Sequence, residues 1–212
     1  MKIALMNEFS QASKNAAVLQ ELQAVGAEQD HRIFNVGMSD DEDHRLTYIH
    51  LGIMAAILLN TKAVDFVISG CGTGQGALMS LNAHPGVTCG YCIDPADAFL
   101  FAQINNGNAL ALPFAKGYGW GAELNIRYIF EKAFSGTKGQ GYPPERKASQ
   151  VENAGILNQV KQAMGKDFLQ GLKALDPQLV KTAVGGERFQ ACLLEHGQQG
   201  EIKDYIASII AA

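Results

Sequence analysis

Residues 64–82, VDFVISGCGTGQGALMSLN, constrain the fold more tightly than any other stretch. Val64–Ser69 is a β-branched apolar run of strand length, and Ala77–Asn82 has helical composition. Between them, Gly70-Cys71-Gly72-Thr73-Gly74-Gln75-Gly76 sets four glycines in seven residues. Glycine lets the chain turn sharply and bring its N–H groups against a ligand. A strand, a glycine loop and a helix start, in that order, build an anion site, because the first N–H groups of a helix have no internal partner. Cys71 sits where the positive end of that helix favours thiolate over thiol. One loop therefore offers a reactive sulfur and a row of donors for oxygen. The plain alternative is a tight strand-to-helix turn around an inert cysteine, and so many glycines around one sulfur argue against it.

The rest of the chain supplies a matching frame. Lys2–Met6 reads as a strand, and Ser10 or Ser13 can cap a helix that carries Ala17, Leu19, Leu22 and Val25 and stops at Gly26. Arg32–Val36 is a second strand, followed by a solvated acidic loop over Gly37–Asp43 and a strongly apolar helix over Thr47–Asn60. Val87–Ile93 is the fourth strand. Asp94-Pro95 then offers a carboxylate cap and a proline at the first helical position, for a helix to about Asn105. Ala109–Leu112 and Gly121–Phe134 are a last strand and helix. Strands alternating with helices of this length predict an α/β fold: a three-layer, Rossmann-like, five-stranded parallel sheet wrapped on both faces. Ligands of such sheets bind at the carboxyl ends of the strands, so the loops after strands one, three, four and five share one rim.

Composition narrows the setting. With 212 residues, 47% of them hydrophobic and 18% charged, the chain is globular and can bury a real core. A net charge of −4 argues against a nucleic-acid partner. No apolar run reaches the length of a membrane span, and MKIALM is too short for a signal sequence, so a soluble cytoplasmic protein is expected. Cys71, Cys89, Cys92 and Cys192 do not make a disulfide framework at this size. Cys89-Gly-Tyr-Cys92 has the spacing of a zinc or redox half-site, but it lies in the strand-like VTCGYCI with no second ligand pair, and it reads as buried thiols. No metal site is expected. Residues 1–135 form the α/β core, 136–147 a glycine- and proline-rich linker, and 148–212 a helical extension. Its helices are expected over Val151–Met164, Phe168–Leu175, a piece after Asp176-Pro177, and Ile202–Ile210.

Cys71-Gly-Thr-Gly-Gln-Gly76 resembles the active-site loop of the ribose-5-phosphate isomerase B and galactose-6-phosphate isomerase family. The likeness runs without a gap through Asn82, Gly86, Cys92, Pro95, Gln103, Asn105, Asn108, Leu110 and Ala111, and takes in Lys2-Ile-Ala and Gly121-Ala-Glu-Leu. The resemblance implies an aldose–ketose isomerase acting on a sugar phosphate through a cis-enediolate, with no metal or organic cofactor. It implies that Cys71 moves the proton between C2 and C1, with the Thr73 hydroxyl and the amides of Gly72, Gly74 and Gly76 on the enediolate oxygens. Gln75 belongs to the same substrate-binding loop. By the same resemblance Glu8 holds sugar hydroxyls, Asn105 binds the sugar, and Arg146 serves the site of the other subunit. The implied assembly is a homodimer, or a dimer of dimers, with sites where subunits meet.

The departures from that family are as informative. The Asp-His pair after its first strand is Glu8-Phe9 here, so a histidine that contacts phosphate is missing. Its ring-opening histidine falls on Ile104, which cannot transfer a proton. Its Arg-His-x-x-Arg is Arg146-Lys147-Ala148-Ser149-Gln150, which loses the second arginine. Bidentate arginine and charge carry phosphate affinity, so an altered sugar preference is expected, with Lys147 and Lys116 as substitute charges. Ring opening would be spontaneous or served by His50 or Glu8. The alternative is a low-turnover sugar or sugar-phosphate binding subunit on the same fold, favoured by Ile104 and opposed by the intact Cys71–Thr73 loop. A cysteine hydrolase would need a histidine poised on Cys71, and the sequence places none there.

Overall fold

The computed structural model describes residues 1–165 and 167–211. Strands β1 (Lys2–Asn7), β2 (Arg32–Asn35), β3 (Phe66–Cys71), β4 (Cys89–Tyr91) and β5 (Ala109–Pro113) form one sheet in the order β2-β1-β3-β5-β4, and every pairing is parallel. The chain leaves β1 for β2 on one side and crosses back to β3 on the other. The strand order therefore reverses between β1 and β3, and the crevice of an open parallel sheet lies at that reversal.

Alternation along the strands splits the core in two. Ile3, Leu5, Ile68, Leu110 and Leu112 face α1 (Asn15–Glu28), α4 (Pro95–Leu100) and α5 (Ala122–Ala133), packing on Val18, Leu22, Ala98, Ile126 and Phe130. Ala4, Met6, Val67, Ala109 and Ala111 face α2 (Tyr48–Asn60) and α3 (Gln75–Asn82). Helix α2 is apolar all round, and every residue from Leu51 to Leu59 is buried. A helix of that kind must be covered on both sides. The sheet covers one side; the C-terminal helices cover the other.

Those helices are α6 (Lys147–Met164), α7 (Phe168–Ala174), α8 (Pro177–Ala183), α9 (Glu187–His196) and α10 (Glu201–Ile210). Phe168, Leu172, Val180, Phe189, Leu193 and Ile206 join the same core cluster as α2. Polar contacts fasten them to the loop ahead of α2. Arg188 donates to the Gly37 carbonyl at 2.8 Å and pairs with Asp43, while His44 Nε2 meets the Thr182 carbonyl at 2.5 Å. Burial pushes the Asp43 carboxyl up, but the Ser39 N–H, the Arg188 guanidinium, the Ser39 hydroxyl and the His44 N–H outweigh it and bring it to about 2.

The structure corrects several sequence-based boundaries. Neither Ser10 nor Ser13 caps α1. A 3-10 turn, Phe9–Lys14, precedes it, and the Glu8 carboxylate accepts the Ser10 N–H at 3.1 Å. The helix runs past Gly26 to Glu28, because Ile33 packs against that glycine: a Cβ there would lie 2.9 Å from Ile33 Cγ1. Strand β3 begins at Phe66 rather than Val64 and extends through Gly70 and Cys71. Asp94 does cap α4, accepting the Asp97 N–H at 2.9 Å with Pro95 as the first helical residue. The end of the linker is ordered as a 3-10 turn over Pro144–Arg146. Helix α9 has no counterpart among the sequence-based expectations.

Phe189 is fully buried where α9 meets the α2 layer. Phe189→Ala is expected to lower unfolding stability in urea by about 3–5 kcal/mol, the usual range for such a truncation. A loss below about 1 kcal/mol would mean that the extension folds independently of the core.

Candidate active site

The site is built at the end of β3. In register, Cys71 lies beside Pro113 of β5, and Gly70 lies beside Asn7 of β1. The three central strands thus end together at one crevice. Gly70 belongs to the strand rather than to the loop, and its role is packing: a Cβ there would lie 2.5 Å from the Leu112 carbonyl oxygen. The loop itself shrinks to Gly72, Thr73 and Gly74. Gly74 takes a left-handed φ of 75° as the residue before α3, a conformation that glycine adopts freely. Gln75 and Gly76 are then the first residues of the helix.

Several groups hold this turn in place. The Phe114 N–H donates to the Cys71 carbonyl and the Ala115 N–H to the Gly72 carbonyl, each at 3.0 Å. The Tyr91 hydroxyl donates to the Thr73 carbonyl at 3.1 Å, and the Tyr48 ring lies over Gly76. The Gln75 N–H reaches the Thr73 hydroxyl at 3.4 Å. With the carbonyls so occupied, the N–H groups of Gly72, Thr73 and Gly74 have no protein partner among the described residues. They make a row of free donors at the positive end of α3, next to Cys71, a buried residue that is 7% exposed.

Around them the first rim loop is crowded with polar groups. Glu8 is buried, and its carboxylate also accepts the Ser10 hydroxyl. The Gln11 amide Nε2 donates to the Ser10 oxygen at 3.0 Å, and Gln11 Oε1 accepts from Lys14 Nζ at 2.9 Å. Lys14 also donates to the Phe114 carbonyl at 2.7 Å and lies 4.8 Å from the centre of the Tyr118 ring. Sequence reasoning missed Gln11, Lys14, Tyr91 and Tyr48. The first two were findable, since they follow a strand whose loop shares the rim. Tyr91 and Tyr48 act through packing that only the fold reveals. His50 is engaged locally: its Nδ1 accepts the Thr47 N–H at 2.9 Å to cap α2, which leaves only Nε2 for other work. Burial, with His44 nearby, holds its imidazole below the usual range.

Asn105 and Arg146 lie elsewhere. Helix α4 runs from the carboxyl rim back to the amino rim, widening into a π turn over Phe101–Asn105, and the left-handed Asn106 follows. The next strand leaves from that end, so Asn105 sits at the rim opposite Cys71. About 13 Å of strand separates the two rims, at about 3.3 Å per residue. The linker lies along this turn, with the Gly139 and Gly141 N–H groups donating to the Ala102 and Gln103 carbonyls at 2.9 Å. Arg146 is exposed at its far end. Gln150 bonds both backbone groups of Tyr142, at 2.9 and 2.8 Å, and Lys147 donates to Gln140 at 2.5 Å, so both are tied to the linker. Lys116 is exposed on the loop after β5, on the Cys71 rim.

Comparison with known proteins decides the family. The Ribose/Galactose Isomerase family model matches residues 3–151. The chain belongs to the ribose/galactose isomerase family. A second model, described as ribose-5-phosphate isomerase, matches residues 163–209 of this isomerase. A Vibrio parahaemolyticus ribose-5-phosphate isomerase structure is 65% identical, with 99% of each chain covered and a TM-score of 0.97. A 4-deoxy-L-threo-5-hexosulose-uronate ketol-isomerase, solved with a tartrate, is 50% identical over 100% of both chains, with a TM-score of 0.98. The type B ribose 5-phosphate isomerase of Trypanosoma cruzi shares the fold at 16% identity, a TM-score of 0.65, and coverage of 77% of this chain and 99% of that one. No curated protein sequence matches the chain. The protein is thus an aldose–ketose isomerase of this family, and no described helix is long and apolar enough to cross a membrane.

Burial pushes the Cys89 and Cys92 thiols up to about 12 and the Cys192 thiol to about 11. Among the described residues no cluster could hold a metal ion. Limited alkylation of the folded isomerase near neutral pH, mapped by mass spectrometry, is therefore expected to modify Cys71 before the other three. Prior modification of Cys89 or Cys92 would show that the loop does not present its sulfur.

Proposed function

We propose that the isomerase converts an open-chain, carboxylate-bearing aldose into its ketose by Cys71-mediated transfer of a proton from C2 to C1. The observation that carries this reading is the Cys71 sulfur beside the free N–H groups of Gly72, Thr73 and Gly74. The C2 proton passes to the sulfur, its electron pair forms the C1–C2 double bond of an enediolate, and the thiol returns the proton to C1. A proton moves from O2 to O1 to complete the ketose. Negative charge develops on oxygens facing the free amides and the Thr73 hydroxyl, where fixed donors lower a barrier most. Gln75 and the first-turn amide of Gly76 border the same space.

Three residues favour a uronate over a sugar phosphate. The ketol-isomerase that is 50% identical acts, by its description, on 4-deoxy-L-threo-5-hexosulose-uronate. That compound has no hydroxyl at C4 or C5, so no furanose or pyranose ring closes on C1 and the aldehyde stays free. A ring-opening acid is then unnecessary, which suits Ile104. A carboxylate needs fewer charged contacts than a phosphate, which suits Phe9 and Gln150. Glu8 and Asn105 remain as partners for the sugar hydroxyls. A ribose 5-phosphate or galactose 6-phosphate substrate is the competing reading, supported by the relative that is 65% identical.

The site is completed by a second copy. Asn105 and Arg146 lie at the rim away from Cys71 of their own protomer, so one ligand cannot meet both sets within one chain. Helix α6 has no buried residue, and it exposes Val151, Ile156, Leu157, Val160 and Met164. An apolar stripe of that size on a lone helix marks a contact surface. In a two-fold dimer each chain then lends Asn105 and Arg146 to the other's Cys71 loop. Such an enzyme would work in the cytoplasm without a metal or organic cofactor.

Two experiments test this. In heavy water, wild type should convert the deoxy-hexosulose-uronate and place deuterium at C1 of the ketose, and Cys71→Ser should be slower by on the order of 10³-fold. Undiminished exchange in C71S would end the cysteine mechanism. Binding without turnover of the uronate, ribose 5-phosphate or galactose 6-phosphate would point to a binding subunit instead. Mixing inactive C71S and N105A subunits should restore about a quarter of wild-type activity, since half the sites of a hybrid dimer are intact. No restoration after verified subunit exchange would place Asn105 outside the partner's site.

A further inference from the structure

We propose that Arg45, held on the ring of Phe9, binds the carboxylate of the substrate and sets the preference for that anion. The inference rests on the uronate reading above and assigns the residue that recognises the charge.

The chain has five arginines. Arg32 pairs with Glu195, Arg127 with Glu21, Glu28 and Glu131, and Arg188 with Asp43. Arg45 and Arg146 have no carboxylate partner among the described residues. Of these two, Arg45 is on the Cys71 rim. The Phe9 N–H donates to the Leu46 carbonyl at 2.9 Å, tying the segment that follows β1 to the residue after Arg45. The next residue, Thr47, caps α2, and the Tyr48 ring lies over Gly76 of the glycine loop. The segment that follows Arg45 is thus fixed to the walls of the crevice.

The guanidinium lies 4.0 Å from the centre of the Phe9 ring, the shortest of the cation–ring distances among the described residues. A guanidinium stacked on a ring spends its flat face on the aromatic surface and keeps its in-plane N–H groups free. Those groups form the planar fork that a carboxylate accepts with both oxygens. Stacking also reduces the freedom that a long side chain loses on binding. Phe9 is 37% exposed, beside the buried Glu8. At the position where the family resemblance expects a histidine that touches phosphate, this chain has a platform for a cation instead. The other cation of the first rim loop is already engaged, since Lys14 is bonded to Phe114 and Gln11. Arg45 is left as the donor that can turn toward a ligand.

The test compares wild type with Arg45→Gln, Arg45→Lys and Arg32→Gln. Arg32 also stacks on a ring, Phe34 at 5.0 Å, but it lies at the amino end of β2 and pairs with Glu195, so it serves as the control. Calorimetry with tartrate, a dicarboxylate, reads binding without turnover. R45Q is expected to weaken tartrate and to raise KM for the uronate on the order of 30-fold, with kcat within about twofold, as for an interaction made equally before and during the reaction. R45K should recover part of the loss, R32Q should match wild type, and the uncharged methyl ester should respond equally to wild type and R45Q. Unchanged tartrate affinity and KM in folded R45Q would overturn the proposal, as would an equal loss for the ester. If wild type turns over only a sugar phosphate, the substrate reading falls. The tartrate arm then decides Arg45 by itself: weaker binding in R45Q upholds its carboxylate fork, and unchanged binding rejects it.

Discussion

The parallel pairing of β1, β3 and β5 is the constraint on which the rest depends. It brings Asn7, Gly70 and Cys71 to one edge and lets the chain beyond each strand leave from the same rim. The pairing demands close approach at Gly70, where the Leu112 carbonyl and the Phe114 ring fill the space a side chain would take. In return, the backbone after Cys71 emerges with its carbonyls occupied by Phe114 and Ala115 and its amides free. Donors with that geometry need no reorganisation when charge appears on a ligand, the condition under which electrostatic stabilisation is strongest. The sulfur owes its position to where the sheet ends.

The helical extension acts on this rim indirectly. Helix α2 is too apolar to face water on either side, so α7 to α10 are required by the same hydrophobic pattern that packs α2 on the sheet. Arg188 and His44 then fix the acidic loop leading into α2, and that loop ends in the residues that hold Phe9 and cap the helix over Gly76. Core burial and placement of the rim are thereby linked through one segment, residues 37–48. The acidic run that reads as a solvated connection is in fact anchored through Asp43, which accepts the Ser39 and His44 N–H groups and pairs with Arg188.

Much of the fold was legible because its signals are local. The β-branched runs, the Asp94-Pro95 start and the glycine turn each report on a few adjacent residues, and the parallel sheet follows from their alternation. Boundaries failed where tertiary contact decided them: Gly26 stays helical because Ile33 needs its space, and Gly70 stays in the strand because Phe114 does. Helix α9 escaped notice because a short apolar face acquires meaning only against α2. At the site, Cys71, Gly72 and Thr73 stood out by composition. Gln11 and Lys14 stand on the first rim loop without a motif to mark them, and Tyr91 and Tyr48 act on loop residues far away in sequence. The resemblance marked Asn105 and Arg146, but only the run of α4 from one rim to the other shows that they leave their own Cys71.

That split has a physical consequence for how folding and assembly relate. The chain closes its core with α7 to α10 and leaves α6 without a buried residue, so the fold does not consume the surface that the proposed dimer would use. The linker supports this separation: Gln150 and Lys147 spend their side chains on Tyr142 and Gln140, fixing the start of α6 against the π turn. Where a phosphate enzyme would place a second cationic group, this chain places a stitch. With Gln150 used in this way, Arg146 is exposed at the far end of the linker, while Arg45 stands on the Cys71 rim over Phe9. A small carboxylate can be met by one planar fork, whereas a phosphate spreads its charge over three oxygens and rewards several donors. The three departures at Phe9, Ile104 and Gln150 are the ones that the proposed substrate asks for, an open-chain acid in place of a ring-closed sugar phosphate.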